Sequence, residues 1–100
     1  MEFDEPIKEI FTIYSKSGCE NCRKIKKYLN ENKFVFVVIN CDDYIINDKD
    51  FFLLFIKKKA NTECNVFPMV FYNEAYIGGY SETIKYCEKL KISFESDFNF

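Results

Sequence analysis

One hundred residues with a formal net charge of -2 at pH 7 and 48% apolar side chains, among them 12 Phe and 7 Tyr, argue for a single folded domain. A chain of this size buries about two-thirds of its unfolded surface around one core, which excludes a second domain and wholesale disorder. The cations, nearly all Lys, are interspersed with Asp and Glu rather than massed on one element, so no nucleic-acid partner is expected.

The opening stretch Met1–Lys8 carries Glu2, Asp4 and Glu5 among few apolar residues, and the apolar runs nearby are too short for a bilayer span. No membrane partner is expected, and the location read from the sequence is cytoplasmic. Five cysteines without an export pattern fit a reducing compartment, and an odd number leaves at least one thiol free. A monomer is expected.

In chain order, Glu9–Ser15 is short, β-branched and aromatic and runs into the polar turn Lys16-Ser17-Gly18, which predicts a first strand. From Cys22 the apolar residues Cys22, Ile25, Tyr28 and Leu29 recur with a helical period, while Arg23, Lys24, Lys26 and Lys27 make a basic outer face. That helix is expected to stop near Asn30–Asn32. Phe34–Ile39 is apolar on both faces and predicts a strand buried in the middle of a sheet, completing a βαβ unit.

Asp48 is placed to cap a second helix with Phe51, Phe52, Phe55 and Ile56 as its buried stripe and Lys57–Lys59 at its end. Asn61–Asn65 breaks it. Met69–Tyr72 and Ala75–Ile77, joined by Asn73-Glu74, predict a hairpin that lacks the favoured Gly. Ser81 is the expected N-cap of a last helix carrying Ile84, Cys87 and Leu90 inward, and Ser93–Phe100 shows no clear period. The order β-α-β-α-β-β-α predicts a thioredoxin-like α/β fold, a four-stranded mixed sheet flanked by helices. A single domain with its core at about 7–91 and a tail at 92–100 is the expected organisation.

Chemistry concentrates at Cys19-Glu20-Asn21-Cys22, where the first strand hands over to the first helix. At a helix start the first sulfur lies near unpaired backbone N–H groups, and the second points back one turn into the protein. The dipole and Lys16 favour a Cys19 thiolate, the attacking species of disulfide exchange, and leave Cys22 as the resolving thiol. The alternatives are two incidental thiols or half of a zinc site, which without His could be completed only by Cys41, Cys64 and Cys87; redox chemistry is preferred and no metal is expected.

Pro68 is either a strand-starting proline or part of a cis Phe67–Pro68 bond that turns the Phe67 backbone toward Cys19; the upstream Cys pair favours the second. Gly78-Gly79 is either a plain turn or a place where a ligand backbone comes close, with Ser81 and Glu82 available to a carboxylate and an ammonium group. Lys57–Lys59 reads more readily as a solvated helix end than as a site. Cys41 and Cys87 are expected in the core, and Cys64 is the extra thiol expected to be exposed.

From about Ile7 to Leu90 the sequence resembles the glutaredoxin family. Lys16-Ser17-Gly18-Cys19-Glu20-Asn21-Cys22 is similar to its Lys-x-x-Cys-x-x-Cys site, Phe67-Pro68 to its Val-Pro element, and Gly78-Gly79-Tyr80-Ser81-Glu82 to its Gly-Gly-x-Ser-Asp segment. The resemblance implies glutathione as co-substrate and disulfide-containing or glutathionylated proteins as partners. It further implies Cys19 and Cys22 as the catalytic pair, with glutathione held by Lys16, Lys59, Phe67, Pro68, Gly79, Ser81 and Glu82.

The chain departs from the family in having Glu20-Asn21 for Pro-Tyr, Phe67 for a smaller residue and Glu82 for Asp; it departs from thioredoxin in having Gly18 before the first cysteine and no Trp. The implied function is a glutathione-linked thiol–disulfide oxidoreductase. The alternatives are a thioredoxin-like dithiol reductant recharged by a reductase, or a glutathione-ligated iron–sulfur carrier.

Overall fold

A computed structural model describes residues 2–96. The elements are β1 (Phe11–Ser15), α1 (Glu20–Glu31), β2 (Phe36–Asn40), α2 (Asp42–Ala60), β3 (Met69–Tyr72), β4 (Ala75–Gly78) and α3 (Tyr80–Ser96). The four strands form one mixed sheet in the order β2-β1-β3-β4, with β1 parallel to β2 and antiparallel to β3. This is the thioredoxin-like arrangement expected from the element order.

β1 and β3 are the two interior strands, and all five residues of β1 are buried. Side chains alternate across a strand, so Phe11 and Ile13 join Ile25, Leu29, Val70 and Cys87 on one face, while Tyr14 joins Cys41, Phe52, Ile56, Met69 and Phe71 on the other. The expectation that Phe34–Ile39 lies mid-sheet is corrected. β2 is an edge strand with Val38 42% exposed, because the strand order leaves it one neighbour instead of two.

α2 begins earlier than the sequence predicts, at Asp42, and Asp48 interrupts it with non-helical φ/ψ of -145° and 46°. Asp48 therefore marks the start of a second helical segment and not of the whole helix. In that segment Phe52 and Ile56 are buried, but Phe51 is 69% exposed, so the expected stripe is narrower by one aromatic ring. Asn61 closes α2 with a left-handed φ of 59°.

The β3–β4 hairpin forms without Gly because Asn73 and Glu74 both take positive φ, 49° and 71°, which is what a two-residue primed turn requires. α3 runs through the first part of the predicted tail, to Ser96; the remainder of that tail, 97–100, lies outside the described residues. Among the described residues no helix is long and apolar enough to cross a membrane.

Candidate active site

β1 delivers the chain to the site from the buried centre of the sheet. Beyond Ser15 the exposed loop Lys16–Gly18 turns through Gly18, whose φ of +73° is left-handed although a Cβ there would meet open space; the requirement is conformational, not steric. The loop is tied to the head of α2, where the Asp42 carboxylate accepts from the Ser17 amide at 2.9 Å and from the Ser17 hydroxyl. Those bonds hold the Asp42 carboxyl below its ordinary range.

Cys19 is the N-cap of α1, with extended backbone (φ -100°, ψ 108°), and its sulfur accepts from the Cys22 amide at 3.1 Å. A sulfur here takes the place of the usual cap oxygen, and it faces the positive end of the helix. Cys22, one turn deeper, is 1% exposed and forms a disulfide with Cys19, the Cα atoms standing 5.2 Å apart. Cys19 is the half-buried partner. In the reduced state the same N–H favours the thiolate over the thiol at Cys19, because it bonds better to the charged form.

Beside Cys19 lies a cleft of about 340 Å³ lined by Lys16, Ser17, Gly18, Glu20, Arg23 and Lys26. Glu20 is paired with Arg23, whose guanidinium holds its carboxyl below the usual range, so the acid next to Cys19 is screened by a cation within its own turn. Lys26 reaches the Ser15 hydroxyl at 3.4 Å. Arg23 and Lys26 were not among the candidates from the sequence. Their signal is spacing: four and seven residues beyond the cap, they fall on the same side of α1 as Cys19.

The Phe67–Pro68 bond is cis and Pro68 is buried. The Phe67 ring stacks on Phe52 at 6.4 Å, and the Lys16 ammonium stands 5.6 Å from its centroid, so two predicted site residues meet in a cation–π pair. Lys59 is placed elsewhere. It is paired with Glu5 and lies over the Phe55 ring, and none of these three residues lines the cleft beside Cys19.

The β4–α3 junction carries the other predicted group. The Gly79 carbonyl accepts from the Thr83 amide at 3.1 Å and from its hydroxyl at 2.7 Å, so Gly79 opens the helix and Ser81 sits inside it. The expectation of Ser81 as N-cap is corrected accordingly. Three residues beyond that cap, Glu82 folds back to accept from the Gly79 amide at 2.9 Å, half of a capping box. Its side chain fills the space over Gly78, where a Cβ would come within 2.6 Å of the Glu82 Cβ and where φ is +139°. A Cβ on Gly79 would stand 3.6 Å from the Pro68 carbonyl oxygen, which places the two motifs side by side.

A smaller cleft of about 210 Å³ adjoins this junction, lined by Cys64, Asn65, Val66, Tyr76, Gly79 and Glu82. Cys64 is only 6% exposed, against the expected exposure; it lies beside Tyr76, and burial raises its thiol above the ordinary value. Cys41 and Cys87 are fully buried, with thiols pushed up to about 12 and about 11 by desolvation. Among the described residues no three His, Cys, Asp or Glu side chains gather as a metal site. A surface hollow of about 560 Å³ against Phe3, Phe51, Leu54 and Phe55 contains none of the predicted site residues.

Comparison with known proteins places this geometry. The glutaredoxin family model matches residues 11–77. Over 32 residues the chain is 44% identical to the glutaredoxin-like protein NrdH of Lactococcus lactis, a stretch covering 32% of this chain and 44% of that relative. The chain thus spans less than half the length of the curated relatives it matches. Among solved structures, glutaredoxin 1 of Francisella tularensis superposes with a TM-score of 0.67 at 26% identity, covering 80% of this chain and 93% of that one. A buckwheat glutaredoxin in complex with glutathione shares the fold, with a TM-score of 0.66 at 20% identity over 83% and 72% of the two chains.

Proposed function

The chain belongs to the glutaredoxin family of thiol–disulfide oxidoreductases, and from that premise we propose that it reduces protein disulfides or protein–glutathione mixed disulfides through Cys19 and Cys22. One observation carries the reading. The Cys19 sulfur itself caps α1, half-exposed, with Cys22 buried one turn behind it within bonding distance.

In the forward reaction the Cys19 thiolate attacks one sulfur of the substrate disulfide, forming a Cys19–substrate bond and expelling the other sulfur as a thiolate that takes up a proton. Cys22 then loses its proton and attacks the Cys19 sulfur, releasing the second substrate thiol and leaving the Cys19–Cys22 bridge. Two electrons have passed to the substrate. Two glutathione thiols return them and leave as glutathione disulfide. Lys16, Phe67, Pro68, Gly79, Ser81 and Glu82 are the groups proposed to hold that co-substrate, with Lys59 demoted by its pairing to Glu5. The three free thiols support a reducing, cytoplasmic setting.

A second reading is favoured by a specific observation. Glu82, proposed to grip the ammonium end of glutathione, already accepts from Gly79 of its own chain, which supports a dithiol reductant recharged by a reductase. Parallel assays with glutathione plus glutathione reductase, and with a thioredoxin-type reductase, decide between the two. Rapid reductase-linked turnover with none from glutathione overturns the first reading. Under that first reading Cys22→Ser keeps the reduction of glutathionylated protein and loses the reduction of intramolecular disulfides.

A further inference from the structure

Charges on a helix ordinarily follow its dipole, acids in the first turn and bases in the last, because each such placement stabilises the helix by about 0.3–1 kcal/mol. α2 obeys this, with Asp42 and Asp43 at its start and Lys57, Lys58 and Lys59 at its end. α1 does not. Its four cations, Arg23, Lys24, Lys26 and Lys27, all precede the last turn, which holds no base and ends on Glu31. Helix stability gives no reason for that arrangement, and proximity to Cys19 does.

Most of these cations are also without an acidic partner among the described residues. Among the described residues Arg23 pairs with Glu20, while Lys16, Lys24 and Lys27 enter no salt bridge. Lys16 and Lys24 lie over aromatic rings on the two sides of the site, Phe67 beside Pro68 and Tyr80 beside Gly79. On a chain whose net charge is -2, Lys16, Arg23 and Lys26 line the Cys19 cleft, and the exposed Lys24 and Lys27 continue the positive face along α1 outside it. The basic outer face of α1 is legible in the sequence; its position beside the Cys19 cleft comes from the fold.

We propose that the exposed face of α1 docks the protein substrate by its carboxylates, so that the preferred disulfide is one flanked by Asp or Glu. This rests on the oxidoreductase reading above and adds the charge of the partner to it. The dimensions agree. At 1.5 Å rise per residue, Lys24 and Lys27 stand about 7–12 Å along the helix from Cys19, and an extended segment covers that span in roughly two to four residues. At that range, close to the Debye length of about 8 Å at physiological salt, the attraction acts on encounter and is removed by added salt.

The test uses three peptides with one common disulfide flanked by Glu, by Ser or by Lys, with kcat/KM measured on the intact chain and on K24E/K27E. At low ionic strength the Glu-flanked peptide is expected to exceed the Lys-flanked one by about tenfold or more, with the difference fading in roughly 0.5 M salt. In K24E/K27E the order is expected to reverse, while the Ser-flanked peptide stays within about twofold. Equal rates on the Glu and Lys peptides at low salt, or a preference that survives K24E/K27E, overturn the docking proposal. Should K24E/K27E fail on the Ser peptide, the neutral pair K24Q/K27Q takes its place and must lose the preference. An intact chain inert toward all three peptides overturns the oxidoreductase reading itself, a different and recognisable result.

Discussion

Two strand-to-helix junctions meet at the site, and both cap their helix with a side chain that the proposed chemistry also needs. At the β1–α1 junction the cap is the Cys19 sulfur, which accepts from the Cys22 amide. At the β4–α3 junction it is the Glu82 carboxylate, which accepts from the Gly79 amide. The two cases differ in what the capping bond does to function. A thiolate is stabilised by the N–H it accepts, so capping and reactivity pull together at Cys19. A carboxylate held to its own backbone has fewer lone pairs to offer a ligand, so at Glu82 capping and recognition compete.

The comparison breaks most visibly at the sulfur. Cys19→Ser keeps a cap oxygen, since Ser is a favoured N-cap, and so should fold with little loss of stability while disulfide reduction falls by about a thousandfold or more. Retained activity in that variant would remove the first junction from the mechanism. Next in size is Gly78→Ala. The new Cβ collides with Glu82 at a backbone angle that L-residues avoid, so denaturant unfolding should show a loss of about 2–3 kcal/mol, against almost nothing for Gly18→Ser outside the angular strain.

Glu82→Ala sharpens the comparison further. Loss of the half capping box should lower stability by about 1 kcal/mol, and the KM for glutathione then separates the roles. A KM unchanged within about twofold means Glu82 serves its own helix; a rise of about tenfold, near 1.4 kcal/mol, means it serves the ligand.

The smallest effect at neutral pH concerns the buried thiols. Cys41 and Cys87 are raised from an ordinary 9.0 to about 12 and about 11 because burial disfavours the thiolate. A group raised in the folded state stabilises it fully below its unfolded pKa and loses that contribution as pH climbs through the folded value. Stability should therefore be flat with respect to these groups up to about pH 8 and fall progressively beyond pH 9 toward 12. In the reduced native protein at pH 8, alkylation followed by peptide mapping should find Cys19 first and Cys41 and Cys87 unmodified.

Much of this was legible in the chain. β3 was bounded at Met69–Tyr72 as observed, and the Cys pair was placed at a strand-to-helix junction, because period-2 and period-3.6 patterns and a polar turn are local signals. What escaped depends on neighbours distant in sequence. Phe34–Ile39 is apolar enough for an interior strand, yet the order of pairing puts β2 on the edge. Asp42–Asn47 carries weak periodicity and Cys41 makes no side-chain cap bond, so the early start of α2 is marked only by the acids Asp42 and Asp43 and by the Asn40 side chain, which accepts from the Asp42 amide.

Within the site, Ser81 is the better cap by residue preference, but Glu82 reaching back to Gly79 moves the helix start ahead of it. Cys64 reads as exposed in a loop between breakers, and it is buried because the chain folds it into the core cluster with Phe52, Met69 and Phe71, against which Tyr76 also packs. Lys59 and Lys16 are alike by type, and their different surroundings, Glu5 beside Lys59 and the Phe67 ring beside Lys16, come from residues distant in sequence.

The burial of all five residues of β1 has a consequence on a different scale. Its amides hydrogen-bond into the interior of the sheet, flanked by β2 and β3, so deuterium should enter them last, only when the whole domain opens. The label should enter the exposed Lys16–Gly18 loop well before β1, with the Ser17 amide, bonded to Asp42, the slowest of the three. The boundary between slowest and fastest exchange then falls within four residues, at the doorstep of the reactive sulfur: a fixed anchor joined to a yielding hand.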